Sequence, residues 1–255
     1  MRLIVRQVSD LEFKILYLYP DMLDLYGDSG NLSVLKYRLK QRNIKTILDT
    51  YTIGDPQPDF TSYDLIFIGG GADSEQQILA DDLKQYKKDI LNSLEAGVFY
   101  LLICGGYQLF GQYYKDANGQ EIPGLGIKDY YTVALLDKTK RCVGNIVTEV
   151  MLENTPVKIV GFENHGGQTE NCTSPFGKVL YGNGNRFGDT NEGYFETNLL
   201  GTYLHGPLLS KNPELADYII KYGLERKYQK PINLEPLNDE FEQKSKQIML
   251  DRLLK

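Results

Sequence analysis

One cysteine stands in a setting that favours chemistry. The segment YLLICGGYQLFG (residues 100–111) leads four apolar residues into Cys104, which Gly105 and Gly106 follow at once. A nucleophile on a sharp strand-to-helix turn needs small neighbours, because the backbone there is strained and crowded. A helix that begins just after Cys104 also offers N–H groups and a positive dipole end, which favour a thiolate. The pattern predicts a cysteine nucleophile; the alternative is a small apolar residue at a buried strand end.

A thiol nucleophile needs a proton shuttle, and the chain has two histidines, His165 and His205. Histidine beside a cysteine can take the thiol proton and return it during acyl transfer. His165 lies near Glu163, which could orient it, and His205 ends the segment GTYLH, so both are candidate bases. Cys142 and Cys172 lack glycine turns or helix starts and are predicted to be structural.

Glycines near the predicted strand ends indicate an oxyanion hole. The N–H of Gly105 could donate one hydrogen bond, and the Gly69–Gly71 loop could supply a second because bare backbone approaches a substrate closely. A phosphate-binding loop or a plain turn is the alternative for the triple glycine. No C-x-x-C or H-E-x-x-H spacing indicates a metal site, and no G-x-x-x-x-G-K-[ST] segment indicates an ATP site.

The wider pattern predicts an α/β fold with a mostly parallel central sheet flanked by helices. Apolar strands near residues 13–19, 63–71 and 98–103 alternate with helical segments, as in right-handed βαβ units. Residues 75–96 are predicted to be helical with a break near Asp81 and Asp82, and residues 199–206 to form one strand. Ligands of such sheets bind at the carboxyl ends of the strands, where these motifs would meet.

Length, composition and net charge limit the classes of function that the protein can have. The 255 residues, 42% hydrophobic and 24% charged, are predicted to form a single domain over 1–255 with a helical tail at about 237–255. A net charge of -6 argues against nucleic acid as a partner. Residues 1–13 carry scattered charges, no apolar run would span a membrane, and three cysteines suit a reducing compartment, so we expect a cytoplasmic protein.

Five segments in order carry a family resemblance: LYGDSGN, FIGGGADSEQ, ICGGYQ, GFENHGGQT and LLGTYLHGPLL. Together they resemble the class I glutamine amidotransferases of flavodoxin-like fold, in particular the cobyric-acid-synthase-like branch. More narrowly, they resemble the glutaminase subunits of lipid II isoglutaminyl synthases, from residue 25 to residue 209. The resemblance implies hydrolysis of L-glutamine to L-glutamate and ammonia through a cysteine thioester.

The resemblance also implies residue roles. Cys104 would be the nucleophile and His205 the general base and acid, in preference to His165. Gly71 and Gly105 lie where the family builds its oxyanion hole. Substrate-binding roles follow for Gln108, four residues after the nucleophile, and for Arg141, whose alternative is a solvated charge at a strand edge.

The segment departs from the wider class at two positions. Leu102 replaces the first glycine of G-x-C-x-G, and Pro207 replaces the glutamate of H-x-E, so the acid that orients the histidine must come from elsewhere. The resemblance suggests that a partner supplies it, and a Cys–His dyad is another alternative. Asp28 is the candidate within this chain; an N-cap or turn aspartate is the competing interpretation.

Free ammonia serves little purpose alone, so the resemblance implies a second chain. That chain would be a Mur-ligase-like synthetase subunit forming a heterodimer, with ATP and Mg bound on the partner and no cofactor in this chain. It would amidate the D-glutamate of lipid II to D-isoglutamine in peptidoglycan biosynthesis, near the inner face of the cell membrane. A stand-alone cysteine hydrolase or peptidase and a non-catalytic binding subunit remain the alternatives.

Overall fold

The structure, a computed structural model, describes residues 11–255; of the N-terminal segment considered above, residues 1–10 lie outside it. The strands are β1 (Glu12–Leu18), β2 (Lys45–Tyr51), β3 (Leu65–Ile68), β4 (Phe99–Ile103), β5 (Tyr113–Lys115), β6 (Glu121–Pro123), β7 (Tyr131–Ala134), β8 (Cys142–Leu152), β9 (Thr155–His165), β10 (Gly167–Glu170), β11 (Gly177–Tyr181), β12 (Asn191–Glu192), β13 (Tyr194–Glu196), β14 (Leu199–Thr202) and β15 (Leu204–His205). The α-helices are α1 (Gly30–Gln41), α2 (Asp73–Gln85), α3 (Lys87–Glu95), α4 (Gly105–Phe110), α5 (Pro213–Tyr228) and α6 (Glu240–Leu253).

A six-stranded central sheet in the order β13-β14-β4-β3-β1-β2 positions the site. Five of these strands run parallel, and the edge strand β13 is antiparallel to β14. Every residue of β3 and β4 is buried, as expected for apolar strands covered on both faces. Helix α5 packs against α1 and contacts β1 and β4. The predicted α/β fold with a mostly parallel, helix-flanked sheet is confirmed.

Two smaller sheets surround the carboxyl-terminal edge of the central sheet. One has the order β10-β7-β5-β6, and the other is antiparallel with the order β12-β11-β8-β9-β15. Strands β8 and β9 form a long hairpin of eleven residues each. Because β15 pairs with β9 while β14 pairs with β4, the chain passes from the central sheet to the antiparallel sheet just before His205.

The single strand predicted for residues 199–206 is therefore wrong. The strand divides at Tyr203, whose backbone N–H donates to the carboxylate of Glu192. The hydroxyl of Thr202 accepts the N–H of Leu204 at 3.1 Å and itself donates to Glu192 at 2.9 Å. Side chains thus satisfy the backbone at the point where the chain leaves one ladder for the next.

The helix break predicted near Asp81 and Asp82 is also misplaced, because α2 continues to Gln85 and the chain turns at Tyr86. Asp82 lies inside the helix, where its carboxylate accepts the hydroxyl protons of Tyr19 and Tyr51. The hydroxyl of Tyr86 is held by that of Tyr51 at 2.8 Å. Core hydrogen bonds, rather than local propensity, place the break.

The predicted tail range 237–255 contains α6, which is joined to the domain by ion pairs. The buried Arg38 of α1 contacts Asp217 on α5 at 2.6 Å and Asp239, just before α6, at 2.5 Å. Lys246 of α6 contacts Glu214 of α5 at 3.0 Å. In the part of the chain that the structure describes, no helix is long and apolar enough to cross a membrane.

Candidate active site

Cys104 lies on a strained turn between β4 and α4. Its backbone angles, φ 49° and ψ -100°, fall in a region that costs a residue with a side chain about 1–3 kcal/mol. The turn is held because the Cys104 N–H donates to the carbonyl of Thr202 at 2.8 Å. A Cβ on Gly106 would come within 2.8 Å of the Ile68 carbonyl oxygen, so glycine is required there. The turn presents the Cys104 thiol to a cavity of about 700 Å³.

His205 and Asp28 form a buried hydrogen-bonded pair. His205 Nδ1 and Asp28 Oδ1 are 2.9 Å apart, and both side chains are fully buried. The other carboxylate oxygen, Asp28 Oδ2, accepts the backbone N–H of Gly70 at 2.9 Å. Asp28 therefore directs both oxygens into the site, and the N-cap position of α1 is occupied instead by Ser29. A carboxylate on Nδ1 holds the imidazole in the tautomer that leaves the Nε2 lone pair available.

Electrostatics favour the charged form of this histidine. Burial alone lowers the pKa of His205, but the hydrogen bond to Asp28 and the nearby Cys104 outweigh it and raise the pKa from 6.5 to about 10. Nε2 is buried without a hydrogen-bond partner among the described residues. This nitrogen is the one left to exchange a proton with the thiol.

Gly70 shows how closely the three side chains meet. A Cβ built on Gly70 would lie 3.1 Å from Cε1 of His205, 3.2 Å from Oδ2 of Asp28 and 3.2 Å from Cβ of Cys104. Cysteine, histidine and aspartate therefore surround a single point at the end of β3. Tyr26 adds an aromatic wall, with its ring 5.0 Å from the His205 ring and nearly perpendicular to it.

The two expected oxyanion donors also come together. The backbone nitrogen of Gly71 lies 3.2 Å from the Cβ position of Gly105, the first residue of α4. A Cβ on Gly71 would come within 2.9 Å of the Met22 carbonyl oxygen, so a side chain would displace this loop. Both glycines thus present backbone beside Cys104, as an oxyanion hole requires.

Gln108 belongs to a buried network of hydrogen-bonded side chains, not all of which could be identified from the sequence. Its Oε1 accepts from Gln76 Nε2 at 3.0 Å, and its Nε2 donates to the Tyr203 hydroxyl at 3.1 Å. The Tyr203 hydroxyl continues to Thr169 Oγ1 at 2.6 Å. Gln76 follows the triple glycine on α2, and no spacing in the sequence distinguished it from a surface glutamine. These hydrogen bonds fix the orientation of the Gln108 amide.

Arg141 lines the same cavity as Cys104. Its Nε and Nη2 donate to Asn164 Oδ1 at 3.1 and 2.9 Å, which orients the guanidinium without neutralising it. Nη1 lies 3.2 Å from the Cβ position of Gly166, at the edge of the cavity. The arrangement places a cation where it can bind an anionic end of a small substrate.

His165 lines the same cavity as Cys104, but its ring is held by other groups. Its ring stacks on Tyr203 at 3.7 Å, and Nδ1 bonds the Gly167 carbonyl at 2.7 Å. Burial lowers the pKa of His165 to about 3, so the ring is neutral. Burial raises the pKa of Cys142 to about 12 and also raises that of Cys172. Among the described residues, no group of three His, Cys, Asp or Glu could hold a metal ion.

A thiol on a strand-to-helix turn, an imidazole held by a carboxylate and converging backbone N–H groups serve acyl transfer through a covalent thioester. Residues 14–213 match the family model of the CobB/CobQ-like glutamine amidotransferase domain. The chain belongs to this family, which confirms the resemblance found in its motifs.

Relatives of known name support the assignment. The chain is 42% identical to the GatD subunit of the glutamine-hydrolysing lipid II isoglutaminyl synthase of Staphylococcus aureus, covering 94% of this chain and 96% of the relative. Its identity to the Streptococcus pneumoniae GatD subunit is 39%, over 89% and 86% of the two chains. A cobyric acid synthase of Listeria innocua is 35% identical over 58% of this chain and 29% of its own length.

Solved structures agree with the fold. A chain in the structure of PurLQS from Thermotoga maritima has a TM-score of 0.53 at 13% identity, covering 86% of this chain and 100% of its own. A crystal structure of a glutamine amidotransferase has a TM-score of 0.51 at 14% identity, covering 82% and 98%. At such identities the similarity concerns the fold alone.

Proposed function

We propose that this chain is a glutaminase whose catalytic residues are Cys104, His205 and Asp28, all within one chain. The observation that carries the proposal is the convergence of these three side chains on Gly70, with Asp28 bonded to the imidazole. In this proposal Asp28, the candidate acid within this chain, orients the histidine in place of an acid from a partner.

The reaction follows from the protonation states. His205 takes the thiol proton through Nε2, and the raised pKa of His205 stabilises the resulting imidazolium. The thiolate of Cys104 attacks the side-chain amide carbon of glutamine, and the imidazolium donates its proton to the departing amine, which leaves as ammonia. Neutral His205 then deprotonates a water molecule that attacks the glutamyl thioester. Glutamate is released and the thiol is restored.

The surrounding groups bind the reacting molecule. The N–H groups of Gly71 and Gly105 stabilise the oxyanion of each tetrahedral intermediate, an interaction whose loss typically costs about 10²–10³ in rate. Arg141 binds the α-carboxylate of glutamine by charge-assisted hydrogen bonds. Gln108, held by Gln76 and Tyr203, lies beside the substrate amide.

The ammonia serves an amide ligase on another chain. Support comes from the two GatD relatives, which are named as subunits of lipid II isoglutaminyl synthases. By this inference, the partner is a Mur-ligase-like synthetase that binds ATP and Mg and amidates the D-glutamate of lipid II at the inner membrane face. Exposed apolar residues at the cavity mouth suit a protein contact, among them Tyr26, 45% exposed, and Leu25, 40% exposed.

The test measures glutamate and ammonia released from L-glutamine by this chain alone, by the co-purified pair and by the synthetase alone. Cys104→Ala is compared with Cys172→Ala, a cysteine outside the cavity. We expect activity in the chain or the pair that is lost only in Cys104→Ala. Hydrolysis of other amides or peptides with no glutamine turnover would indicate a stand-alone cysteine hydrolase. No turnover of any substrate, even with the partner, would indicate a non-catalytic subunit.

A further inference from the structure

Glu192 is a buried acid that the proposed reaction does not use. It lies on β12, and its side chain is fully buried. Its Oε1 accepts hydrogen bonds from Thr202 Oγ1 at 2.9 Å and from the Tyr203 N–H at 2.8 Å. Its Oε2 has no partner in the described part of the chain. A carboxyl group so placed is costly, which makes its few contacts informative.

Those contacts fall on the crossing between two sheets, defined here as Thr202, Tyr203 and Leu204. Before the crossing, the carbonyl of Thr202 accepts the N–H of Cys104 at 2.8 Å. After the crossing, β15 carries His205. The crossing therefore links Thr202, which bonds the backbone of Cys104, to His205, which carries the imidazole. Glu192 binds two of the three residues of the crossing.

We propose that Glu192 is a positioning residue: it sets the geometry of the crossing and thereby directs the imidazole of His205 toward Cys104. The inference rests on the glutaminase function proposed above. Glu192 touches neither substrate nor reacting atoms, and it acts only through the crossing. A small displacement of a catalytic group lowers the rate strongly, because the reacting atoms must lie close and aligned.

The charged groups around Glu192 influence whether its carboxyl is neutral or ionised when it holds the crossing. Among the described residues, the ionisable groups that interact with it are Glu163 on β9, Tyr107 on α4 and Cys172, none of them a cation. The lysine of the paired strand β11, Lys178, is exposed and lies opposite Asn191, the neighbour of Glu192.

Burial and the charge of Glu163 outweigh the bonds from Tyr203 and Thr202, raising the pKa of Glu192 from 4.5 to about 8. The neutral acid therefore holds the crossing below this pH. Ionisation above it does not release the crossing, because Thr202 Oγ1 and the Tyr203 N–H both donate and an ionised carboxylate accepts them more strongly.

Two substitutions separate positioning from packing. Glu192→Gln reproduces the neutral acid, and we expect kcat within about twofold of wild type at neutral pH. Its amide oxygen can accept the same two hydrogen bonds from Thr202 and Tyr203, which keeps the crossing in place. Glu192→Ala should lower kcat by about tenfold or more with little change in KM. Glu163→Gln is the matched control, because the Glu163 side chain holds Asn183 and Gly184 instead of the crossing, and its kcat should stay within about twofold of wild type.

A second readout does not depend on turnover. The rate of Cys104 alkylation by iodoacetamide reports the imidazole beside the thiol; it should fall in Glu192→Ala and remain near the wild-type rate in Glu192→Gln. Chain folding is checked by the unfolding midpoint. If wild type releases no ammonia, the proposed function fails while alkylation still tests Glu192. A folded Glu192→Ala with wild-type kcat and alkylation, or a folded Glu192→Gln as impaired in both as Glu192→Ala, would overturn the proposal.

Discussion

Replacing Asp28 by asparagine tests the in-chain triad. The Gly70 N–H must donate to the asparagine oxygen, because it donates to Asp28 Oδ2 in wild type. The asparagine NH₂ group then faces His205 Nδ1 and can only donate to it. The imidazole is forced to carry its proton on Nε2, where it cannot accept the thiol proton.

The size of the effect follows from the geometry. With Nδ1 and Oδ1 2.9 Å apart in a buried pair, the imidazolium and carboxylate charge centres lie about 4 Å apart, which gives about 4 kcal/mol at an effective dielectric constant of about 20. Losing that stabilisation of the imidazolium corresponds to about 10³ in kcat at 1.36 kcal/mol per tenfold. KM should change little, because Asp28 does not bind the substrate.

The assay is steady-state glutamine hydrolysis by Asp28→Asn, alone and with the partner, alongside unfolding midpoints. Asp24→Asn is the matched control, since Asp24 lies in the same loop, is exposed and accepts the backbone N–H of Ser29. We expect the control to remain within about twofold of wild type. A folded Asp28→Asn that retains more than about a tenth of wild-type kcat would show that another acid, from the partner, orients His205.

Three further outcomes follow from the site. Iodoacetamide should label Cys104 well before Cys142, whose pKa is raised to about 12 by burial; equal labelling, read by peptide mass spectrometry, would argue against an activated thiol. Arg141→Ala should raise KM for glutamine by about tenfold or more with a smaller change in kcat, unlike the exposed control Lys140→Ala, and a pure kcat effect would contradict carboxylate binding. Because the folded-state pKa of His205 is about 10 against 6.5, its contribution to the free energy of unfolding is full below pH 6.5 and is lost as pH rises through 10. His205→Asn should therefore flatten the decline in stability measured by urea unfolding between these pH values, and an unchanged slope would refute the pKa shift.

The fold was largely predictable because its central strands are continuously apolar. Strands β3 and β4 carry no polar residue, and this pattern places them inside a parallel sheet between helices. The turn at Cys104 was equally local, since two glycines and an apolar strand are sufficient to indicate it. The short strands of the two smaller sheets were less clear, because their partners are set by tertiary contacts.

The pairing of Asp28 with His205 and the crossing could not be predicted from local sequence patterns. Asp28 lies 177 positions from His205, and only the packing of the sheet edge brings the two together. The composition of residues 199–206 predicts one strand. Hydrogen bonds that Thr202 and Tyr203 donate to Glu192 divide it into two. Side-chain bonds between remote segments leave no periodic trace in the sequence.

The covalent intermediate gives the most direct test of the central claim. The chain, with its partner present, is mixed with L-glutamine, quenched in acid during turnover and digested for mass spectrometry. We predict a glutamyl thioester on the peptide that contains Cys104. This adduct should be absent in Cys104→Ala and more abundant under conditions that slow hydrolysis of the thioester. Glutamine turnover with no adduct on Cys104, or an adduct on Cys142 or Cys172 instead, would contradict the account.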